Sequence, residues 1–167
     1  SYYLTIDHNV IENFKEHGIY FQSSPYSKVN YNRLVGAEAG GWKRAIRNTE
    51  SNQYAEVNYN YIELSNAEGG HVDQWGIEVH DSEIIGDTLL VSINGSCHSD
   101  GRGIYANRST IRDNYVRIAD YSTCGGYYGY GIESYGSENA RSVIENNHIE
   151  GTRESRGIWA SYADIED

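Results

Sequence analysis

The 167-residue chain carries 13 Lys plus Arg against 24 Asp plus Glu, a net charge of −11. That balance argues against nucleic acid and against anionic membrane surfaces, which both call for basic patches, and no apolar run approaches the roughly 18 residues of a membrane span. With no Met, one Pro, 16 Tyr, 18 Gly and 38% hydrophobic residues, the chain reads as a mature or excised segment whose lean core needs a repeating pattern to fold.

Such a pattern runs from end to end. In chain order, the first unit holds Ile6-Asn9-Ile11 and then Gly18-Ile19. The second holds Val29-Asn32-Leu34 and Ala45-Ile46, the third Val57-Asn60-Ile62 and Gly76-Ile77. The fourth holds Ile84-Asp87-Leu89 and Gly103-Ile104, with Asp in place of Asn. The fifth holds Ile111-Asn114-Val116 and Gly131-Ile132, and the sixth Ile144-Asn147-Ile149 and Gly157-Ile158. A seventh opens at Ile165, and the units are 21 to 33 residues long.

The segments are short, rich in Ile, Val and Tyr, and alternate with period two, which is the signature of strands. Two or three short strands in each unit predict one coil of a parallel β-helix, in which each strand pairs with its equivalent one coil on. The fold expected is therefore all-β, a solenoid of about six coils forming one domain over residues 1–167. The recurring Asn is expected at a tight corner, where it tolerates left-handed backbone and its amide bonds from coil to coil. Asp87 cannot donate as an amide does and should weaken that ladder. Gly before Ile is expected at the next corner, where positive φ or close packing excludes a side chain.

This repeat resembles the right-handed parallel β-helix of the pectate-lyase-like superfamily, over nearly the whole chain. The resemblance implies polysaccharide-directed chemistry, as a lyase or a glycoside hydrolase, while the repeat itself reports fold and not chemistry.

Aligning the coils on Gly-Ile sorts outward side chains into columns. One column reads Tyr20, Arg47, Glu78, Tyr105, Glu133, Trp159; another reads His17, Arg44, Trp75, Arg102, Tyr130, Arg156. Rings interleaved with charges suit a sugar-binding groove, with Tyr20, Trp75, Tyr105, Tyr130, Glu133, Trp159 and Arg156 as candidate substrate contacts. Candidate catalytic residues are Asp73 and Asp100, which share a column, with Glu78, Arg102 beside Asp100, and His80 as a base. Stacked Tyr equally stabilise a sheet by cross-strand packing, so this surface also has a purely structural explanation.

The net charge favours a neutral or weakly charged glycan as partner. No cofactor is assigned; Ca²⁺ is the one candidate, through Asp73, Glu78, Asp81 and Asp100. Cys97 and Cys124 lie one coil apart, which predicts a disulfide and an extracellular or cell-surface location. Neither end carries an evident polar cap, so the segment is expected either to belong to a longer protein or to self-associate end to end. A structural filament or surface-layer component and a non-catalytic glycan-binding or adhesin module are the competing functions.

Overall fold

The computed structural model describes residues 3–22, 24–36, 41–48, 54–65, 73–94, 100–121, 129–152 and 155–166. Among the described residues there are nineteen strands and no helix. The first coil holds β1 (Thr5–Asp7), β2 (Val10–Glu12) and β3 (His17–Tyr20), and the second β4 (Ser27–Asn30), β5 (Arg33–Gly36) and β6 (Lys43–Arg47). The third holds β7 (Ala55–Asn58), β8 (Tyr61–Leu64) and β9 (Asp73–His80), and the fourth β10 (Glu83–Ile85), β11 (Thr88–Ile93) and β12 (Asp100–Asn107). The fifth holds β13 (Thr110–Arg112), β14 (Tyr115–Asp120) and β15 (Gly129–Tyr135), and the sixth β16 (Ser142–Glu145), β17 (His148–Gly151) and β18 (Arg156–Ser161). β19 (Ala163–Glu166) opens a further turn.

Every third strand pairs in parallel, giving one sheet of seven strands and two of six. The first sheet runs β1-β4-β7-β10-β13-β16-β19, and the other two follow the second and third strands of each coil. The expected parallel solenoid is therefore present. Its core is three aliphatic columns, one from each sheet. Val29, Val57, Ile84, Ile111 and Ile144 stack in the first, and Leu34, Ile62, Leu89 and Val116 in the second. Ile46, Ile77, Ile104 and Ile132 stack in the third, and all of these side chains are buried. Each fully buried side chain of this kind stabilises the fold by about 1.5–3 kcal/mol. The columns answer directly to the repeat, because one register maps each aliphatic position onto its equivalent.

The Asn corner works as a ladder, with one difference from expectation. The left-handed residue is not Asn but the one before it: His8, Tyr31, Tyr59, Gly86, Asp113 and Asn146 all have φ between 50° and 68°. Left-handed backbone is costly for bulky residues, yet each corner keeps its coil-to-coil bond; Tyr31 N donates to Asn58 O at 3.1 Å and Tyr59 N to Ile85 O at 2.9 Å. That turn frees the Asn side chain to point inward. Asn32 Oδ1 accepts from both Asn9 N and Asn9 Nδ2 at 2.9 Å. Asn60 Oδ1 in turn accepts from Asn32 N at 3.0 Å and Asn32 Nδ2 at 3.1 Å. Asn60 Nδ2 reaches both ways, to Asp87 Oδ1 at 2.9 Å and Val29 O at 2.8 Å. One amide thus ties three coils together.

Gly before Ile also differs from expectation. Gly76 and Gly103 sit inside β9 and β12, not at corners, and neither has positive φ. Close approach excludes the side chain instead: a Cβ at Gly76 would lie 2.6 Å from Gly103 O, and one at Gly103 2.6 Å from Gly131 O. Gly and Ile both face inward there, so the residues on either side, Trp75 and Glu78, both face out. The corner after these strands carries a serine ladder that the repeat did not suggest. Ser82 Oγ accepts from Ala55 N at 3.3 Å, and Ser109 Oγ accepts from Ser82 N at 3.1 Å.

Candidate functional site

The register of the third sheet places the two outward columns side by side. His17, Arg44, Trp75, Arg102, Tyr130 and Arg156 succeed one another across it, and Tyr20, Arg47, Glu78, Tyr105, Glu133 and Trp159 form the neighbouring column. Asp73 and Asp100 are direct partners on β9 and β12, so their strands are about 4.8 Å apart.

Alternation implies an open face, but its middle is covered. Glu78, Glu133 and Arg44 are only 7%, 6% and 8% exposed. The cover comes from long side chains lying flat across neighbouring strands. Arg44 Nε donates to Glu78 Oε2 at 2.7 Å, and Arg47 Nε lies 3.0 Å from the same oxygen. Arg102 Nε lies 2.8 Å from Glu133 Oε2, and its Nη2 lies 2.9 Å from Asp100 Oδ2. The guanidinium planes also cover rings. Arg44 and Arg102 approach Trp75 from the strands on either side, with Cζ 4.2 and 4.0 Å from the ring centroid, and Arg156 lies 4.3 Å from that of Trp159. Trp75 is therefore sandwiched between two guanidinium groups with its Nε1 buried, whereas Tyr20 and Trp159 are exposed.

The candidate catalytic residues separate into two groups. Asp73, Asp100 and Arg102 converge. Burial pushes the Asp100 carboxyl up to about 6; the Arg102 charge opposes this, while Asp73 and Glu133 reinforce it. A carboxyl that changes charge near neutrality, next to a second carboxylate, is suited to proton transfer. Glu78 is committed to Arg44 and Arg47 and lies apart from that pair. His80 ends the strand that Asp73 begins, on the order of 20 Å away at the rise of an extended strand. Burial lowers the His80 pKa, with Arg108 acting the same way and Glu78 and Asp81 opposing. Its ring packs edge-on against Tyr105 at 5.8 Å.

Among the described residues no three His, Cys, Asp or Glu side chains gather in a way that would hold a metal ion. Three of the four carboxylates considered for Ca²⁺ are turned to cations instead: Glu78 to Arg44, Asp100 to Arg102, and Asp81 to Arg108 through bonds of 2.6 and 2.7 Å. Cys97 and Cys124 lie outside the described residues. A concavity of about 530 Å³ opens at the first-coil end of the face, lined by Lys15, Glu16, His17, Tyr20 and Arg47. It is two strands from Asp73.

The cation–ring stack escaped the sequence reading, although its signal was there. A column alternating Arg with Trp or Tyr in successive coils is itself a packing signature, since each guanidinium then meets a ring and not another cation. No family model, curated protein or solved structure matches this chain.

Proposed function

We propose that the chain is an extracellular or cell-surface, carbohydrate-directed β-helix whose Gly-Ile face takes a polysaccharide and cleaves it at the Asp73–Asp100 pair. One arrangement carries this reading: Asp100 lies in register with a second carboxylate and is held by Arg102, and burial pushes its carboxyl up to about 6. In its protonated form Asp100 donates to the leaving glycosidic oxygen, and the Asp73 carboxylate faces the anomeric carbon. The strand spacing of about 4.8 Å is compatible with the ~5–5.5 Å carboxyl separation of retaining glycosidases. Arg102 orients Asp100 and holds back its pKa. Tyr20, Tyr105, Tyr130, Arg156 and Trp159 extend the contact along the solenoid axis, the direction of a linear glycan, while the covered Glu133 and Trp75 hold Arg102 in place beneath it. The resemblance of the repeat to the pectate-lyase-like superfamily supports the substrate class.

The test is incubation of the purified chain with neutral and acidic polysaccharides, following new reducing ends and unsaturated products together. Turnover that falls as pH rises through about 6, and that is lost in Asp100→Asn with the circular dichroism unchanged, is the expected result. Binding without turnover would assign the face to a glycan-binding module. Neither binding nor turnover, with fibres visible by electron microscopy, would assign the chain to a structural filament.

A further inference from the structure

The first three coils carry a row of rings on the Asn corner that the glycan reading does not use. His8, Tyr31 and Tyr59 occupy successive left-handed positions, so their side chains leave the backbone in the same direction. The His8 and Tyr31 centroids are 5.1 Å apart with planes 16° from parallel, and those of Tyr31 and Tyr59 are 5.3 Å apart at 13°. The far face of Tyr59 rests on Gly86, where a Cβ would lie 2.5 Å from Tyr59 Cε1. Tyr31 and Tyr59 are nonetheless 52% and 53% exposed, because they project from the corner.

We propose that Tyr31 and Tyr59 form a modification site, at which a two-electron oxidation joins the second and third coils through a dityrosine bond. Near-parallel rings in register lay like ring carbons over one another, and a rigid backbone holds them there, so coupling within the chain is favoured over coupling between chains. The balance is simple. Each phenol loses one electron and one proton to an external oxidant, here hydrogen peroxide acting through a haem peroxidase, and one peroxide is reduced to two waters. The two phenoxyl radicals form one Cε–Cε bond. Each coupled ring then moves its Cε proton to the phenolic oxygen and regains aromaticity, so the chain has lost two hydrogen atoms.

Other ring pairs are less suited. Tyr26 and Tyr54 are 6.1 Å apart and tilted by 46°, and the Tyr54 hydroxyl donates to Glu83 Oε2 at 2.9 Å. Burial and that carboxylate push the Tyr54 phenol up to about 12, which holds its proton in place. Tyr105 and Tyr135 are 6.3 Å apart at 68°, and the Tyr135 hydroxyl donates to Glu133 Oε1 at 2.7 Å.

The site is tested by treating the full chain with peroxidase and hydrogen peroxide at several dilutions, then digesting with trypsin. Tyr31 falls in the peptide 29–33, Tyr59 in 48–102 and Tyr26 in 16–28. The expected product is a blue-fluorescent 29–33/48–102 species lighter by two hydrogens, formed at a yield independent of dilution. Tyr59→Phe and Tyr31→Phe each keep the ring and lower that yield by about tenfold or more, since neither leaves a phenol pair at this register. A 16–28/48–102 product in its place, cross-links only between chains, or an unchanged yield in Tyr59→Phe would each overturn the proposal. Urea-unfolded chain should lose the selectivity; if it gave the same species at the same yield, the folded geometry would not be its cause.

Discussion

The Asn corner and the Gly-Ile face are both stacks of equivalent residues, and they solve opposite problems. An amide carries donor and acceptor together, so the same residue can repeat in every coil and bond to its own copy. A charge cannot, because a like charge one strand away repels it. The Gly-Ile face accordingly alternates: Arg44, Trp75, Arg102, Tyr130, Arg156 in one column and Arg47, Glu78, Tyr105, Glu133, Trp159 in the next. Each region breaks its own rule once, and each time with Asp. Asp87 interrupts the amides, and Asp100 sits directly beside Asp73. The pKa is raised at both, with burial the leading cause at each. What opposes burial differs: the Arg102 charge at Asp100, and hydrogen bonds from Asn60 at Asp87.

The largest effect is expected where the corner is cut. Asn60→Ala removes the acceptor for Asn32 N and Asn32 Nδ2 and the donor to Val29 O, all in buried surroundings. At roughly 1–3 kcal/mol for each buried group left unsatisfied, the loss should be about 4 kcal/mol after relaxation. Urea unfolding checks it, and a loss below about 1 kcal/mol would mean that the ladder follows the fold without holding it.

Asp87→Asn should move stability in the other direction. Asp87 Oδ1 accepts from Asn60 N at 2.6 Å, but Oδ2 is buried with no partner. Where an amide would donate, to the next rung and to a carbonyl of the preceding coil, the equivalent groups are Asn114 Oδ1 and Val57 O, both acceptors. An ionised Asp87 is repelled there, and burial raises its pKa well above the usual value. The protonated form supplies the missing donor. The folded state thus keeps a proton that the unfolded state releases at about pH 4, and wild-type stability falls by up to about 1.4 kcal/mol per pH unit from there upward. The amide introduced by Asp87→Asn carries its donor at every pH. The advantage of this variant over the wild type should be smallest at about pH 4 and grow as pH rises, read from unfolding curves from pH 4 upward. An advantage independent of pH would show that Asp87 is ionised in the folded chain.

Much of this is legible in the repeat alone. The aliphatic positions predict the three core columns, the spacing predicts the register, and Asp87 stands out as the weak rung. What is not legible depends on distances that a repeat does not encode. Alternation says that Glu78 and Glu133 point outward, but not that Arg44, Arg47 and Arg102 lie down over them. The role of Gly103 depends on the approach of Gly131 O, which φ preferences do not reveal. Left-handed Tyr31 and Tyr59 run against residue propensity, since the coil-to-coil bonds override it. The candidate site is half legible for the same reason. Sharing a column brings Asp73 to Asp100, whereas nearness in sequence groups Glu78 and His80 with them although an extended strand carries both away.

Breaking the face should cost less than breaking the corner. Glu78→Gln keeps an acceptor for one arginine but removes the charge that Arg44 and Arg47 share. Partial exposure of Arg47 and the remaining Trp75 contact limit the damage, and a loss of about 2 kcal/mol by urea unfolding is expected. A neutral outcome would mean that the ring contacts alone hold the guanidinium groups in place.

The smallest change in stability should come from Asp100→Asn, and its pH profile separates the two exceptional carboxyls. Asp100 is raised to about 6 and not beyond, because Arg102 opposes the burial. Its contribution is therefore complete below about pH 4, the unfolded value, and is lost as pH rises to about 6. Removing the carboxyl also removes its ion pair with Arg102, which still has Glu133, so the net gain above pH 6 should be about 1 kcal/mol. That gain should stop growing once pH passes about 6, a plateau set by the opposing charge of Arg102, which has no counterpart among the groups acting on Asp87. A stability gain accompanied by loss of polysaccharide turnover would mark Asp100 as a group kept at a cost to the fold, as a functional acid is. The same gain with turnover intact would make Asp100 a second Asp87, a misfit in the stack and nothing more.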